Sequence, residues 1–348
     1  MLRVRPWAME LAAGAVTVVD RPEPPGARTM TGGFEALLSP MILFFVLGAA
    51  AAFARSDLSI PEALAKGMSL YLMAAIGLKG GVEVAESGFT PDMLAAAFAG
   101  LALSFLIPLP TFFALRRFGR LDAVNAAAVA AHYGSVSVVT FVTGAEVLTN
   151  GGLSPAGYMV AVLALMETPA IIVGLWLARR GAGAGAQPKG DLLHETLFNG
   201  SVVLLVGSFL IGLIAGKQGF APIAPVFETA FRGILCLFLL DMGLVAARRL
   251  REARALTARL AGLALLLPVI NGTLGVAVAA LIGLDTGSAA ALGILAASAS
   301  YIAVPAAMRL ALPQADPGLY LAMSLAVTFP FNITVGIPLF AFLATRMT

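Results

Sequence analysis

Two runs in an otherwise apolar chain concentrate hydroxyl groups beside residues that interrupt helices. The first is Ala131-His-Tyr-Gly-Ser-Val-Ser-Val-Val-Thr140 and the second is Ala297-Ser-Ala-Ser-Tyr-Ile-Ala-Val-Pro305. Gly134 leaves helical geometry at little steric cost. Pro305 removes a backbone donor and breaks the hydrogen-bond ladder. Ser135, Ser137 and Thr140 in the first run, and Ser298, Ser300 and Tyr301 in the second, can satisfy freed backbone groups or bind a ligand. A helix that restarts after such a break offers free N–H groups and about half a positive charge to an anion. Unwound carbonyls and half-helix C-termini suit Na⁺. These residues therefore fit the binding of a small anion together with a cation. The same serines also fit plain helix packing, which membrane interfaces favour.

A second pair of motifs adds a carboxylate and an amide. Met166-Glu-Thr-Pro169 and Thr328-Phe-Pro-Phe-Asn332 each place a proline after polar residues inside an apolar run. A carboxylate at membrane depth is costly and faces protein or water, and each proline frees a carbonyl one turn upstream. Glu167, Thr168, Thr328 and Asn332 are candidates for a cation site or for the residues that support one. The alternative is a Glu167 paired structurally with a hydroxyl or water. Other polar residues read as structural. Glu228 and Arg232 have the i,i+4 spacing of an ion pair, Asp241 sits near basic residues, His132 packs or lines the first run, and His194 lies in a loop.

The elements that must position these residues are membrane spans. The chain is 59% hydrophobic and 12% charged, against roughly 25% charged in a soluble domain, and its mean hydropathy is +0.94. With ~20 apolar residues per crossing, the 348 residues accommodate about ten spans and short loops. The spans read as 37–54, 61–78, 93–115, 123–148, 155–178, 196–215, 222–247, 256–282, 288–312 and 319–344. The first serine-rich run falls in span four and the second in span nine, so these two spans are expected to be broken. One cysteine, Cys236, and two histidines leave no disulfide framework and no zinc site. The net charge of +3 comes from loop residues, so nucleic acid is not expected as a partner.

Lys and Arg in the short loops set orientation. Arg116, Arg117 and Arg120 follow span three, Arg179, Arg180 and Lys189 follow span five, and Arg248, Arg249, Arg251 and Arg254 follow span seven. The other side carries only Lys79 and Lys217, beside Glu83, Glu86 and Asp92. Loops after odd spans are thus expected in the cytoplasm, with both termini outside, in a multi-pass protein of the cell's inner (plasma) membrane. Residues 1–30 stand apart. Arg3, Arg5, Arg21 and Arg28 oppose the charge rule and flank an apolar stretch too short to span, so this segment reads as a disordered or mis-assigned extension.

The chain also repeats itself. Ala99-Gly-Leu-Ala-Leu103 recurs as Ala261-Gly-Leu-Ala-Leu265, and Asp122, Ser135 and Ser137 recur as Asp285, Ser298 and Ser300. Pro155 and Pro169 map onto Pro317 and Pro330. Each half holds five spans, an odd number, so the second half enters the membrane from the opposite side. The expected fold is an all-α integral membrane protein with a 5+5 inverted repeat, residues 31–178 and 196–348, joined by a cytoplasmic linker at 179–195. Broken helices at matching places in two such halves mark a transport site. A channel calls for rings of charge or a carbonyl filter, and an intramembrane enzyme for clustered catalytic groups. Neither is legible, since Glu167, Asp241 and His132 are scattered.

Leu58-Ser-Ile-Pro-Glu62, Ile76-Gly-Leu-Lys-Gly-Gly81, Tyr133-Gly-Ser-Val-Ser137, Ala297-Ser-Ala-Ser300 and the run 328–339, ending Gly336-Ile-Pro-Leu339, resemble the sodium-dependent bicarbonate permease family, the SbtA-like bicarbonate transporters. The resemblance spans about residues 30–348. It implies core and gate domains in a homotrimer, elevator-like alternating access, and Na⁺ and bicarbonate bound where the broken helices cross. Na⁺ would be the coupling ion, with no other cofactor. The family's serine motifs carry over onto Ser135, Ser137, Ser298 and Ser300. A cytoplasmic PII-like regulator is a further implied partner. Where the family pattern has an Asp after the second serine cluster, this chain has Tyr301. That departure keeps a second substrate open, another small anion such as a short carboxylate.

Overall fold

The computed structural model describes residues 39–182, 200–253 and 255–348, which form helices and connecting turns, with no strand among them. The expected N-terminal extension, most of the linker with Lys189 and His194, the start of span six, and Arg254 lie outside the described residues.

Among the described residues twelve helical elements follow one another. They are α1 (Pro40–Phe53), α2 (Glu62–Ser87), α3 (Pro91–Arg117), α4 (Ala123–Gly134), α5 (Val138–Asn150), α6 (Met159–Arg180), α7 (Gly200–Phe220), α8 (Pro225–Glu252), α9 (Ala258–Leu281), α10 (Thr286–Ala297), α11 (Ala303–Ala311) and α12 (Pro317–Met347). Eight helices among the described residues are long and apolar enough to cross a membrane, counting α4 and α5 as one, and α1 and α10 are shorter apolar helices. Large apolar side chains face outward, Leu281 at 87% and Ile214 at 85% exposure. Contiguous apolar surface of this kind suits lipid rather than water. The chain is a multi-pass membrane protein.

Local sequence explains where the helices begin. Side chains of Thr90, Asp122, Ser137, Thr257, Asp285 and Asp316 accept first-turn N–H groups, which satisfies donors that a helix start leaves free. Pro40, Pro91 and Pro317 occupy first-turn positions where no N–H is needed.

Several boundaries differ from the sequence reading. α2 continues to Ser87, so Lys79, Glu83 and Glu86 lie on a helix rather than in a loop. α8 runs to Glu252 and takes in Arg248, Arg249 and Arg251. In both cases helix-forming charged residues extend the apolar segment beyond its hydropathy edge.

The helices sort into two packing groups. α1 lies along α8, and α2 lies along α7 and also meets α8. In the other group α4 packs on α6 and on the second half of α3, α10 packs on α9 and α12, and α5 packs on α10. The two groups meet mainly where α8 touches the first half of α12 and where α2 and α7 touch the first half of α6.

Candidate functional site

The first serine run interrupts helical geometry at three residues. α4 ends at Gly134, Ser135 and Ser137 are extended (ψ 171° and 111°), and α5 restarts at Val138. The second run does the same after Ala297, with Ser298 extended (ψ 162°) and α11 starting at Ala303. The second interruption therefore begins at Ser298, before Pro305. Pro305 is the third residue of α11, where a missing N–H costs nothing. Gly134 is also helical, contrary to its expected role as the point of departure. A Cβ there would collide with the Pro108 ring and lie 2.9 Å from Ala170 Cβ, so its smallness admits neighbouring helices.

The two interruptions touch each other. Ser300 N–H donates to the His132 carbonyl at 2.9 Å, and Ser137 N–H donates to Ser298 Oγ at 3.0 Å. Ser298 O–H in turn donates to the Leu295 carbonyl at 2.7 Å. Ser135 O–H donates to the Glu167 carbonyl at 2.9 Å, which ties the first break to the bend in α6. Ser137 Oγ accepts the Thr140 N–H at 3.2 Å and caps α5. Ser300 Oγ accepts the Val304 N–H at 3.4 Å. All four serines are at most 4% exposed. An unpaired buried backbone group costs ~1–3 kcal/mol, so these bonds hold the backbone in its non-helical path.

The proline motifs contribute unequally. Around Thr328 and Asn332, α12 is wound as π-helix over Ala322–Thr328 and Asn332–Gly336. Such insertions free or redirect local backbone groups and recur at functional sites. Thr328 Oγ1 donates to the Ala264 carbonyl at 2.7 Å and meets Tyr133 Oη at 2.6 Å. Asn332 Nδ2 donates to the Ala297 carbonyl at 2.8 Å, at the end of α10, while its buried Oδ1 has no partner among the described residues. Asn332 and Thr328 thus reach the crossing through α10 and α4. Glu167 joins it by its backbone carbonyl. Its side chain is 4% exposed, and no hydrogen bond or ion pair to its carboxylate occurs among the described residues. Thr168 is half-buried at the bend in α6 and makes no hydrogen bond to the crossing among the described residues. Thr140 contributes its N–H to the cap.

Tyr301 is 8% exposed, with its ring edge-to-face on Phe329 at 5.2 Å. Phe329 packs likewise on Phe45 of α1, at 5.6 Å. The Tyr301 hydroxyl is buried and has no hydrogen-bond partner among the described residues.

Some contributors escaped the sequence reading. Tyr133 joins α4 to α12, and Ser104 O–H holds the Met166 carbonyl at 2.8 Å beside the bend in α6. A polar residue inside an apolar span was the only signal for either. His132 is fully buried, with Nδ1 on the Ala128 carbonyl at 2.7 Å and its ring stacked on Tyr320. The expected Glu228–Arg232 pair is not made. Arg232 Nε pairs with Glu146 of α5, and Arg232 Nη2 reaches Asn150 Oδ1 at 3.3 Å, because α5 ends beside the start of α8. Asp241 is buried on α8.

The arrangement gathers uncharged donors and acceptors, two helix ends and two helix starts in one buried place. That suits a small ion or ion pair better than any bond-breaking chemistry. Residues 40–345 match the model of the family described as the Na⁺-dependent bicarbonate transporter superfamily. No curated protein matches the chain.

Proposed function

We propose, starting from the fact that the chain belongs to the Na⁺-dependent bicarbonate transporter superfamily, that it carries bicarbonate into the cell with Na⁺ by alternating access. The observation that carries this reading is the pair of interrupted helices whose non-helical segments bond to each other, through Ser300 to His132 and Ser137 to Ser298. In the proposed architecture ten spans form two inverted repeats, 31–178 and 196–348, joined by a cytoplasmic linker at 179–195. The matched landmarks Asp122 and Asp285, each capping the helix that runs into a serine break, support it.

The anion is assigned to Gly134, Ser135, Ser137, Thr140, Ser298, Ser300 and Tyr301. Na⁺ is assigned to the neighbourhood of Glu167, Thr168, Thr328 and Asn332, and the unpartnered Asn332 Oδ1 supports a cation there. The group containing α4, α5, α10 and α11 would move as an elevator against the group of α1, α2, α7 and α8. The protein would sit in the plasma membrane with both termini outside. It would assemble as a homotrimer open to a PII-like cytoplasmic regulator. We read it as a transporter and not an enzyme.

Coupling has a simple energetic basis. Moving one bicarbonate inward against 100 mV costs about 2.3 kcal/mol. One accompanying Na⁺ cancels that charge, and a tenfold inward Na⁺ gradient supplies roughly 1.4 kcal/mol. Bound together, each ion lessens the other's burial cost.

The test is uptake of labelled bicarbonate into proteoliposomes with and without an inward Na⁺ gradient, at a pH where CO₂ leakage is small. Na⁺-dependent uptake is the expected result. Its absence in folded, inserted protein overturns bicarbonate and favours a second reading, a short carboxylate. Tyr301, a neutral hydroxyl in the second break, supports that alternative.

A further inference from the structure

We propose that a cleft between the end of α3 and the start of α9 binds the phosphate of an anionic lipid headgroup, held by Arg120 and Arg259. The inference is separate from which ion the protein carries.

The cleft is a cavity of about 480 Å³. Gly119, Arg120 and Leu121 line one side of it, and Thr257, Arg259 and Leu260 line the other. Gly119 makes this closure possible. A Cβ there would lie 2.6 Å from the Leu115 carbonyl oxygen and 3.0 Å from Leu260 Cδ2. The turn therefore seats directly on α9, and two arginines come to one opening. No carboxylate lines the cavity among the described residues. Asp122, next along the chain, engages its oxygens with Val124 and Asn125.

The arginines of this region differ in what they already hold. Arg116 Nη1 donates to the Leu121 carbonyl at 3.1 Å, and the Arg117 guanidinium lies over the Phe118 ring. Arg120 and Arg259 are exposed and make no ion pair among the described residues. Arg120 also has a φ of 57°, in the left-handed region where a helix end favours glycine. A long charged side chain thus stands where the backbone by itself prefers none. Two guanidinium groups with unused donors can grip a phosphate through parallel N–H···O bonds.

The surface below the cleft distinguishes a lipid from a soluble phosphate. Arg259, Gly262, Leu266 and Ile270 lie at i, i+3, i+7 and i+11 on one exposed face of α9. Leu106, Phe113 and Arg117 form a similar exposed stripe on α3. A Cβ on Gly262 would meet nothing within 4 Å, so room is left beside Arg259. A basic cleft thus caps two apolar stripes on spanning helices. Phosphate in the cleft and acyl chains along the stripes satisfy both parts. Basic pockets between spans at the cytoplasmic end take anionic headgroups.

The experiment measures binding of fluorescent phosphatidylglycerol and phosphatidylcholine to the full-length protein in detergent, with inorganic phosphate as competitor. The variants are Arg120→Gly, Arg259→Gln and Arg55→Gly. Arg55, at the end of α1, carries the same charge and the same φ of 57° and lies outside the cleft. Glycine suits the backbone at both positions, so lost binding in Arg120→Gly does not reflect a damaged turn. Phosphatidylglycerol is expected to bind more tightly than phosphatidylcholine. Arg120→Gly and Arg259→Gln are each expected to weaken it about tenfold or more, with Arg55→Gly unchanged. Equal losses in Arg55→Gly and Arg120→Gly would mean that the lipid senses overall charge, and would overturn the site. Unchanged binding in both cleft variants would overturn it as well. Displacement of the lipid by millimolar inorganic phosphate would assign the cleft to a soluble phosphate and overturn the lipid.

Discussion

The α1/α2/α7/α8 group and the crossing of α4, α5, α10 and α11 bring helices together by opposite means. In the first, glycine removes side chains so that backbones touch. A Cβ on Gly48 or Gly243 would run into the Leu240 or Phe45 carbonyl, and one on Gly81 or Gly212 into the Phe209 or Leu78 carbonyl. Small residues at helix contacts are how membrane helices gain close packing without a hydrophobic driving force. In the crossing the backbone is not helical at all, and hydroxyls stand in for the missing ladder bonds. The first region has no freedom at its seams. Among the described residues, the second has hydrogen-bonding capacity left over, at Ser137, Ser300, Tyr301 and Asn332 Oδ1. Leftover capacity is what a ligand needs.

The sharpest way to break this contrast is to fill a seam. Gly81→Val and Gly243→Val place methyl groups against main-chain atoms that cannot step aside. Overpacking costs ~1–3 kcal/mol where side chains can yield, and more is expected here. The expected outcome is loss of the monodisperse size-exclusion peak or a fall of many degrees in melting temperature. A stable Gly243→Val protein would show that α1 and α8 slide freely and that the first group is no rigid frame.

A buried bond in the crossing comes next. Tyr133→Phe leaves Thr328 Oγ1 with only its bond to the Ala264 carbonyl, and Thr328→Val leaves the Tyr133 hydroxyl buried and alone, at ~1–3 kcal/mol. A double-mutant cycle is expected to return a coupling of ~0.5–3 kcal/mol. Additive losses in thermal or denaturant unfolding would mean that the 2.6 Å contact contributes little.

The two groups are joined by an ion pair, and its removal sharpens the comparison. Among the described residues, Arg232 with Glu146 is the ion pair that crosses between them, supported by Asn150. Glu146→Gln and Arg232→Gln are each expected to cost ~1 kcal/mol or less in stability, as partly exposed pairs do. Their larger effect is expected on the distance between spin labels at Ser154 and Gln218, in a Cys236→Ser background. Broadened distances in the single variants, restored in the Glu146→Arg/Arg232→Glu exchange, would identify the pair as a latch. Unaltered distances would leave it a surface contact.

The smallest effect concerns the caps that lead into the breaks. Asp122→Ala and Asp285→Ala each remove a first-turn acceptor, at ~1 kcal/mol. Burial alone would raise the Asp122 carboxyl, but hydrogen bonds from Asn125 and Val124 outweigh it and hold the group below the usual carboxylate range. Its folded-state value is thus depressed. The stabilisation is present above the ordinary carboxylate range and is lost as pH falls through the folded value. Asp122→Asn, which keeps an acceptor, is expected to flatten this acid-side loss with little change at neutral pH.

Much of the molecule was readable because it depends on neighbours in sequence. Hydropathy over ~20 residues marks spans, and serines beside Gly134 marked the first interruption. Boundaries were less readable where charged residues prolong a helix, as Lys79 and Arg248 do. Partners were not readable at all when spacing suggested a nearer one. Arg232 has Glu228 one turn away, yet Glu146 meets it from α5.

The sequence by itself determined the membrane class and the hydroxyl-rich segments, because apolar runs and helix breakers act over one or two turns. Only the tertiary structure decided that Ser135 and Ser298 are spent on carbonyls while Ser137 and Tyr301 are not. It also decided that Tyr133 bonds to a threonine 195 residues away. A hydroxyl reaches about 3 Å, and which group stands at that distance is fixed by how whole helices pack.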